Sequence, residues 1–165
     1  MKITVLSGSP KGDDSVTLQY VRYMEKTFPA HDYQVFHVAQ QIRKVERDNK
    51  VFQDIMDRVA ASDAVIWSFP LYYCLVCSQY KRFIELIFER KIGAAFRNKY
   101  AVSLSTSVHF FDHTAHNYIH GICDDLGMKY LGGYPAEMYD LVRSRERARF
   151  VQFAGNFLKS AARHV

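Results

Sequence analysis

The chain has 165 residues, 48% hydrophobic and 24% charged, which fits one globular domain with an ordinary core and excludes a disordered polypeptide. Three cysteines (Cys74, Cys77 and Cys123) are too few for a secreted disulfide scaffold, and no charged-then-apolar leader precedes the first apolar run; a cytoplasmic protein is expected. The net charge of +5 suits an anionic ligand, yet the basic residues are scattered apart from Arg43-Lys44 and the group Arg143 to Arg149, which alternates with Glu146 as a solvated helix face does, so nucleic acid is not expected as a partner.

Residues 2–7 form an almost continuously apolar first strand, the pattern of a strand covered on both faces. It runs into Ser7-Gly8-Ser9-Pro10-Lys11-Gly12, after which Ser15-Val16-Thr17 opens a helix with Leu18, Val21, Met24 and Phe28 at helical spacing, stopped by Pro29. Residues 33–38 read as a second strand, and Val51, Phe52, Ile55, Met56 and Val59 mark a second helix face. A third strand at 64–67 precedes a helix striped by Tyr80, Phe83, Ile84, Ile87 and Phe88, and 100–104 is a fourth strand. A fourth helix is predicted over 114–126, a fifth strand begins at 129–131, and Ala148, Val151, Ala154, Leu158 and Ala161 stripe a last helix. The longest nearly apolar stretch, 64–77, contains Ser68 and Pro70 and falls short of the roughly 18 residues of a membrane span, so none is expected.

Strands alternating with helices predict an α/β sandwich of three layers, a five-stranded parallel sheet with helices on both faces. The order 2-1-3-4-5 suits this length, and ligands of such sheets bind outside the strands' carboxyl ends at the switch point between strands 1 and 3. Three loops would gather there: 7–17, 69–78 and 105–113.

The first loop offers hydroxyls from Ser9, Ser15 and Thr17, the Lys11 ammonium and a helix N-terminus, which together suit a phosphate. Its spacing matches neither the P-loop nor the dinucleotide fingerprint, and Asp13 and Asp14 place carboxylates beside the proposed anion, with Asp14 the expected helix cap. A plain strand-to-helix turn is the alternative. The second loop, from Phe69 to Cys77, is too apolar for a wet sheet edge, so either a flat aromatic ligand or a partner chain covers it, or Leu75 and Val76 fold back as core. Cys74 and Cys77 form a C-x-x-C in the wrong strand context for a thioredoxin-type dithiol. The third loop carries His109, Asp112 and His113, with His116 and His120 on the following helix; without a matching glutamate the cluster is read as one ligand-contacting histidine among capping or paired ones, and no metal site is expected.

Ser7-Gly8-Ser9-Pro10-Lys11 followed by Ser15-Val16-Thr17 resembles the G-S-P-[RK]…S-N-T signature of the flavodoxin-like NAD(P)H-dependent FMN reductases and quinone reductases. Phe69-Pro70-Leu71-Tyr72 with Lys81-Arg82-Phe83-Ile84-Glu85 is similar to the same family's P-x-Y…L-K-x-F-I-[DE] pattern, and Thr106-Ser107-Val108 stands at its third flavin loop. The resemblance implies that Ser9, Lys11, Ser15, Val16 and Thr17 hold the phosphate of FMN, that Pro70, Leu71, Tyr72 and Tyr73 line the isoalloxazine, and that Thr106, Ser107, Val108 and His109 close its other edge. Tyr72, Tyr73 and His109 are the candidates to orient an acceptor. Three departures stand out: Val16 replaces the usual Asn, Cys77 a common Pro, and Ser107-Val108 a glycine pair. Three scattered cysteines cannot supply the four-cysteine cluster of the related iron–sulfur flavoproteins.

The function implied is an FMN-dependent oxidoreductase passing electrons from NADH or NADPH to a quinone, a free flavin or a protein acceptor, as a homodimer or homotetramer whose subunit contact covers the apolar loop. A flavodoxin-type electron carrier, or an FMN-binding domain of a larger redox protein, is the second reading, although flavodoxins are typically acidic and this chain is basic. A flavin-free binding module on the same fold is the third.

Overall fold

The computed structural model of the chain describes residues 1–163. Five strands, β1 (Lys2–Ser7), β2 (Asp32–Phe36), β3 (Ala64–Pro70), β4 (Tyr100–Ser107) and β5 (Lys129–Glu137), pair in parallel in the order β2-β1-β3-β4-β5. The helices are α1 (Val16–Thr27), α2 (Ile42–Arg47), α3 (Asn49–Ala61), α4 (Ser78–Glu89), α5 (Asp112–Asp125) and α6 (Ser144–Ala162). This is the flavodoxin-like sandwich expected from the alternation of elements.

Side chains alternate across each strand, so successive residues feed two different cores. Ile3, Val5, Ile66, Val102 and Leu104 pack on one face with α1 and α6; Leu6, Val65, Trp67, Phe69 and Ala101 pack on the other with α3, α4 and α5. In α3 the buried stripe Phe52, Ile55, Met56 and Val59 holds the helix against the sheet. Each such side chain contributes about 1.5–3 kcal/mol on burial, well above the few tenths by which helix propensities differ. Asp48 caps this helix, accepting the Lys50 and Val51 amides at 2.9 and 3.4 Å.

Several boundaries differ from the sequence reading, each for a local reason. The six-residue α2 was not predicted, because only Val45 of it is buried and no stripe forms. The second strand ends at Phe36 rather than at 38, since Val38 already turns back to bond its amide to the Phe36 carbonyl at 2.9 Å. β3 and β4 run on to Pro70 and Ser107, which shortens both loops. β5 begins at Lys129, as expected, and continues to Glu137, because Gly132 (φ +126°) and Gly133 form an irregularity in the ladder rather than a turn, and pairing resumes at Gly133 opposite Ser103. α5 begins at Asp112, so Asp112 and His113 belong to its first turn. Asp14 does not cap α1: it lies in a 3-10 turn over Gly12–Asp14, Ser15 occupies the N-cap position, and no side chain there bonds a helix amide.

Candidate functional site

At the carboxyl ends of β1, β3 and β4, the switch point of the sheet, lies a cleft of about 440 Å³, within the size range of small-molecule pockets. Its floor begins with the loop after β1. Gly8 is pinned there: its amide donates to the Ser68 carbonyl at 2.7 Å, and a Cβ on it would fall 2.5 Å from the ring of Tyr80. Tyr80 cannot yield, being fully buried, with its hydroxyl donating to the Leu6 carbonyl at 2.7 Å. Gly12 takes φ +57°, a left-handed conformation glycine adopts without penalty, and a Cβ there would strike the Gln40 side chain.

Between these glycines and α1, Ser9, Lys11, Ser15 and Val16 line one end of the cleft. Ser9 and Ser15 are buried, and the first-turn amides of α1, Val16 and Thr17 among them, have no intrahelical partners by helix geometry. Asp13 does not oppose an anion here, because its carboxylate turns to Arg22 at 2.7 Å, with His37 at 3.6 Å. The donor set at this end is two hydroxyls, an ammonium and a helix N-terminus, a phosphate-type cradle.

The rest of the cleft is a slot between Pro70, Leu71, Tyr72, Tyr73 and Cys74 on one side and Thr106, Ser107, Val108, Phe110 and Met138 on the other. The first wall is a tight hairpin. Leu71 donates its amide to the Thr106 carbonyl at 2.9 Å, Tyr72 and Leu75 exchange backbone bonds at 2.7 and 3.0 Å, and Tyr73 and Cys74 occupy the turn at φ +38° and +67°. Two non-glycine residues at positive φ store strain of the kind concentrated at functional sites. The Thr114 hydroxyl, from α5, donates between the Cys74 and Phe111 carbonyls and ties this hairpin to the third loop. Val76 and Cys77 fold back as core and Leu75 packs against it, whereas Tyr73 at 92% exposure stands clear of the surface.

Of the predicted site residues, two lie outside the cleft. Thr17 is buried on the inward face of α1, where its hydroxyl meets that of Thr106 at 2.6 Å, so it braces the two loops from behind. His109, at φ +56°, faces a neighbouring depression shared with Phe111, Asp112, His113 and His116. Cys74, Phe110 and Met138 line the cleft and were not predicted. Among the described residues, Lys11 is the one formally charged side chain on the lining.

The remaining sequence candidates separate in space. His120 stacks on Tyr130 with centroids 4.6 Å apart, His113 lies against Phe111, and His116 is half-buried between the Ser103 and Ser105 hydroxyls; among the described residues no group of three or more His, Cys, Asp or Glu side chains is placed to hold a metal ion. The Cys77 thiol donates to the Gly8 carbonyl at 3.2 Å, and burial pushes its pKa up, the opposite of what a redox dithiol requires. Among the described residues no helix is long and apolar enough to cross a membrane.

The model of a family described as NADPH-dependent FMN reductase matches residues 1–138. Among solved structures, the chain is similar to an NADH:FMN oxidoreductase, EMOB, in its apo form (18% identity, 96% of this chain and 89% of that one, TM-score 0.78). It is also similar to FerB, an NAD(P)H:(acceptor) oxidoreductase from Paracoccus denitrificans (17% identity, 99% and 98% covered, TM-score 0.77). A third is RosB with bound 8-demethyl-8-formylriboflavin-5'-phosphate (12% identity, 99% and 79% covered, TM-score 0.79). At these identities the structural likeness bears on the fold alone. No curated protein matches the sequence.

Proposed function

The chain belongs to the NADPH-dependent FMN reductase family and is an FMN-dependent oxidoreductase; from that premise we propose that it binds FMN in the cleft above, takes electrons from NADH or NADPH, and passes them to a quinone, a free flavin or a protein acceptor. One observation carries the placement: a hydroxyl-and-amide cradle for a phosphate opens directly into a flat apolar slot. Ser9, Lys11, Ser15 and Val16 would hold the phosphate, with Thr17 setting the loop through Thr106. Pro70, Leu71, Tyr72 and Tyr73 would line the ring on one side and Thr106, Ser107 and Val108 on the other.

FMN would supply the hydride chemistry. The chain's own part is to anchor, orient and exclude water. With Lys11 at the phosphate end as the charged lining residue, the slot offers the ring no carboxylate or imidazole among the described residues, so Tyr72 and Tyr73 would be the side chains to orient an acceptor. His109 is too far around the loop to line the slot.

Purified protein should be yellow, or turn so on incubation with FMN, and the flavin absorbance should bleach under anaerobic NADH or NADPH. Protein that takes up no FMN would overturn the reading, and flavin reduced by dithionite but by neither nucleotide would make the chain a carrier. Ser15→Ala should weaken FMN roughly tenfold to a hundredfold, because a hydrogen bond to a charged group is worth about 1.5–3 kcal/mol. Isothermal titration checks this; unchanged affinity would show the phosphate lies elsewhere.

The exposed Tyr72, Tyr73, Val108, Phe110 and Met138 around the mouth support a homodimer or homotetramer with the slot at a subunit contact. On that reading Val108→Lys should shift the protein toward monomer in sedimentation velocity. A single domain in the cytoplasm completes the proposal, supported by three unpaired thiols.

A further inference from the structure

His109 lies between two carboxylates. Its Nδ1 is 3.4 Å from Asp112 Oδ2, and its Nε2 is 3.4 Å from Glu137 Oε1, so each ring nitrogen faces a carboxylate oxygen, and the imidazolium form donates to both. Each carboxylate is fixed in turn. Asp112 accepts the Ser107 hydroxyl, whose oxygen accepts the His109 amide at 2.8 Å. Glu137 meets Arg143 at 3.4 Å, its amide donates to Asp140 Oδ2 at 2.9 Å, and the buried Asp140 faces Arg143 at 3.6 Å. A continuous polar chain therefore crosses from the loop after β4 to the loop after β5, and His109 to Glu137 is its side-chain step, just beyond the point where the β4–β5 ladder ends at Ser107 and Glu137.

The segments so joined carry Val108 and Phe110 on one side and Met138 on the other, all of which line the slot. The Ser107 to Asp112 bond and the Thr114 hydroxyl at the Phe111 carbonyl hold the two ends of the first segment, and its middle is open. Val108 is 87% exposed, Phe110 and Phe111 are about half exposed, and His109 and Phe111 sit at φ +56° and +55°, conformations that persist only where surrounding contacts impose them. Exposed ion pairs add little to global stability, so a link of this kind acts on local opening rather than on folding.

We propose that His109 and Glu137 form a clasp joining these two loops, which fixes the width of the slot's mouth and selects acceptors by size, favouring small planar molecules over bulky ones. Both are positioning residues, acting through Val108, Phe110 and Met138. The size selection rests on the reductase reading above; the clasp does not.

The test uses His109→Gln, Glu137→Gln and the double variant. Hydrogen exchange of the FMN-free protein should quicken several-fold at the amides of 107–111 and 137–143 in each single variant, and the double variant should add less than the sum of the two, since the shared His109 to Glu137 contact is lost in all three. In the FMN-loaded protein, the ratio of kcat/KM for a substituted naphthoquinone to that for benzoquinone should rise about threefold to tenfold, through KM rather than kcat. Unchanged exchange in both segments overturns the clasp. Quicker exchange with an unchanged acceptor ratio overturns size selection and leaves the clasp. A wild-type protein reduced by neither NADH nor NADPH overturns the reductase reading, and with it size selection, while the exchange result still decides the clasp.

Discussion

Gly8→Ala is expected to cost about 3 kcal/mol of stability and to abolish tight FMN binding together. The new methyl group would lie 2.5–2.9 Å from three atoms of the Tyr80 ring, closer than carbon atoms approach. Neither partner can retreat cheaply. Tyr80 is locked by its bond to the Leu6 carbonyl and by rings of Trp67, Phe69 and Phe83 around it, while the Gly8 backbone is tethered to Ser68. Forcing a methyl into a packed core costs about 1–3 kcal/mol, and stretching the Gly8 to Ser68 bond adds on the order of 1. Any relief must come from displacing residues 8–12, on which the proposed phosphate site is built. Gly121→Ala is the matched control: it lies inside α5 with open space around the added carbon, so it should stabilise by about 0.5–1 kcal/mol. Urea denaturation of the two variants checks both numbers; equal stabilities would show that the Tyr80 contact relaxes freely.

This contrast also marks what the sequence made legible. A backbone approach that admits only hydrogen at Cα leaves a local signature, so Ser7-Gly8-Ser9-Pro10-Lys11 marks the loop that forms the floor of the cleft. The place of Thr17 was legible too, although the loop reading passed over it: Thr17, Tyr20, Val21 and Met24 recur at helical spacing and share the buried face of α1, which turns the Thr17 hydroxyl away from the cleft. His109 and Met138 are different cases. His109 leaves the slot because its backbone turns at positive φ, for which a histidine between a valine and two phenylalanines gives no cue. Met138 reaches the slot because β5 continues past Gly132-Gly133 to Glu137, whereas the sequence pattern marks only the start of that strand, at 129–131. The edge position of β5 is what admits Pro135, whose missing amide proton faces no further strand.

Gly133 has a second role, in the acid sensitivity of the fold. A Cβ on it would fall 2.3 Å from His116 Nδ1, so its bare backbone makes room for that ring. His116 Nδ1 sits 2.6 Å from the Ser103 hydroxyl and Nε2 2.9 Å from the Ser105 hydroxyl, beside the ring of Phe69. Hydroxyls can donate or accept, so this cage satisfies a neutral imidazole and supplies no opposing charge. Burial lowers the His116 pKa from 6.5 to about 4, and the carboxylate of Asp112 offsets only part of the shift. The unfolded chain thus takes up a proton near pH 6.5 that the folded protein resists until about pH 4. The corresponding stability is fully present above pH 6.5 and is lost as the pH falls through that window, on the order of 3 kcal/mol in all. Ser105 neighbours Thr106, whose carbonyl holds the hairpin wall through Leu71, so the slot should loosen over the same range and release FMN. Urea denaturation at pH 7.5 and 4.5 should show the wild type losing about 2–3 kcal/mol more than His116→Gln, which cannot titrate. Parallel losses in the two proteins would mean that water or a rearranged serine pair stabilises the imidazolium, and that acid acts on the surface carboxylates alone.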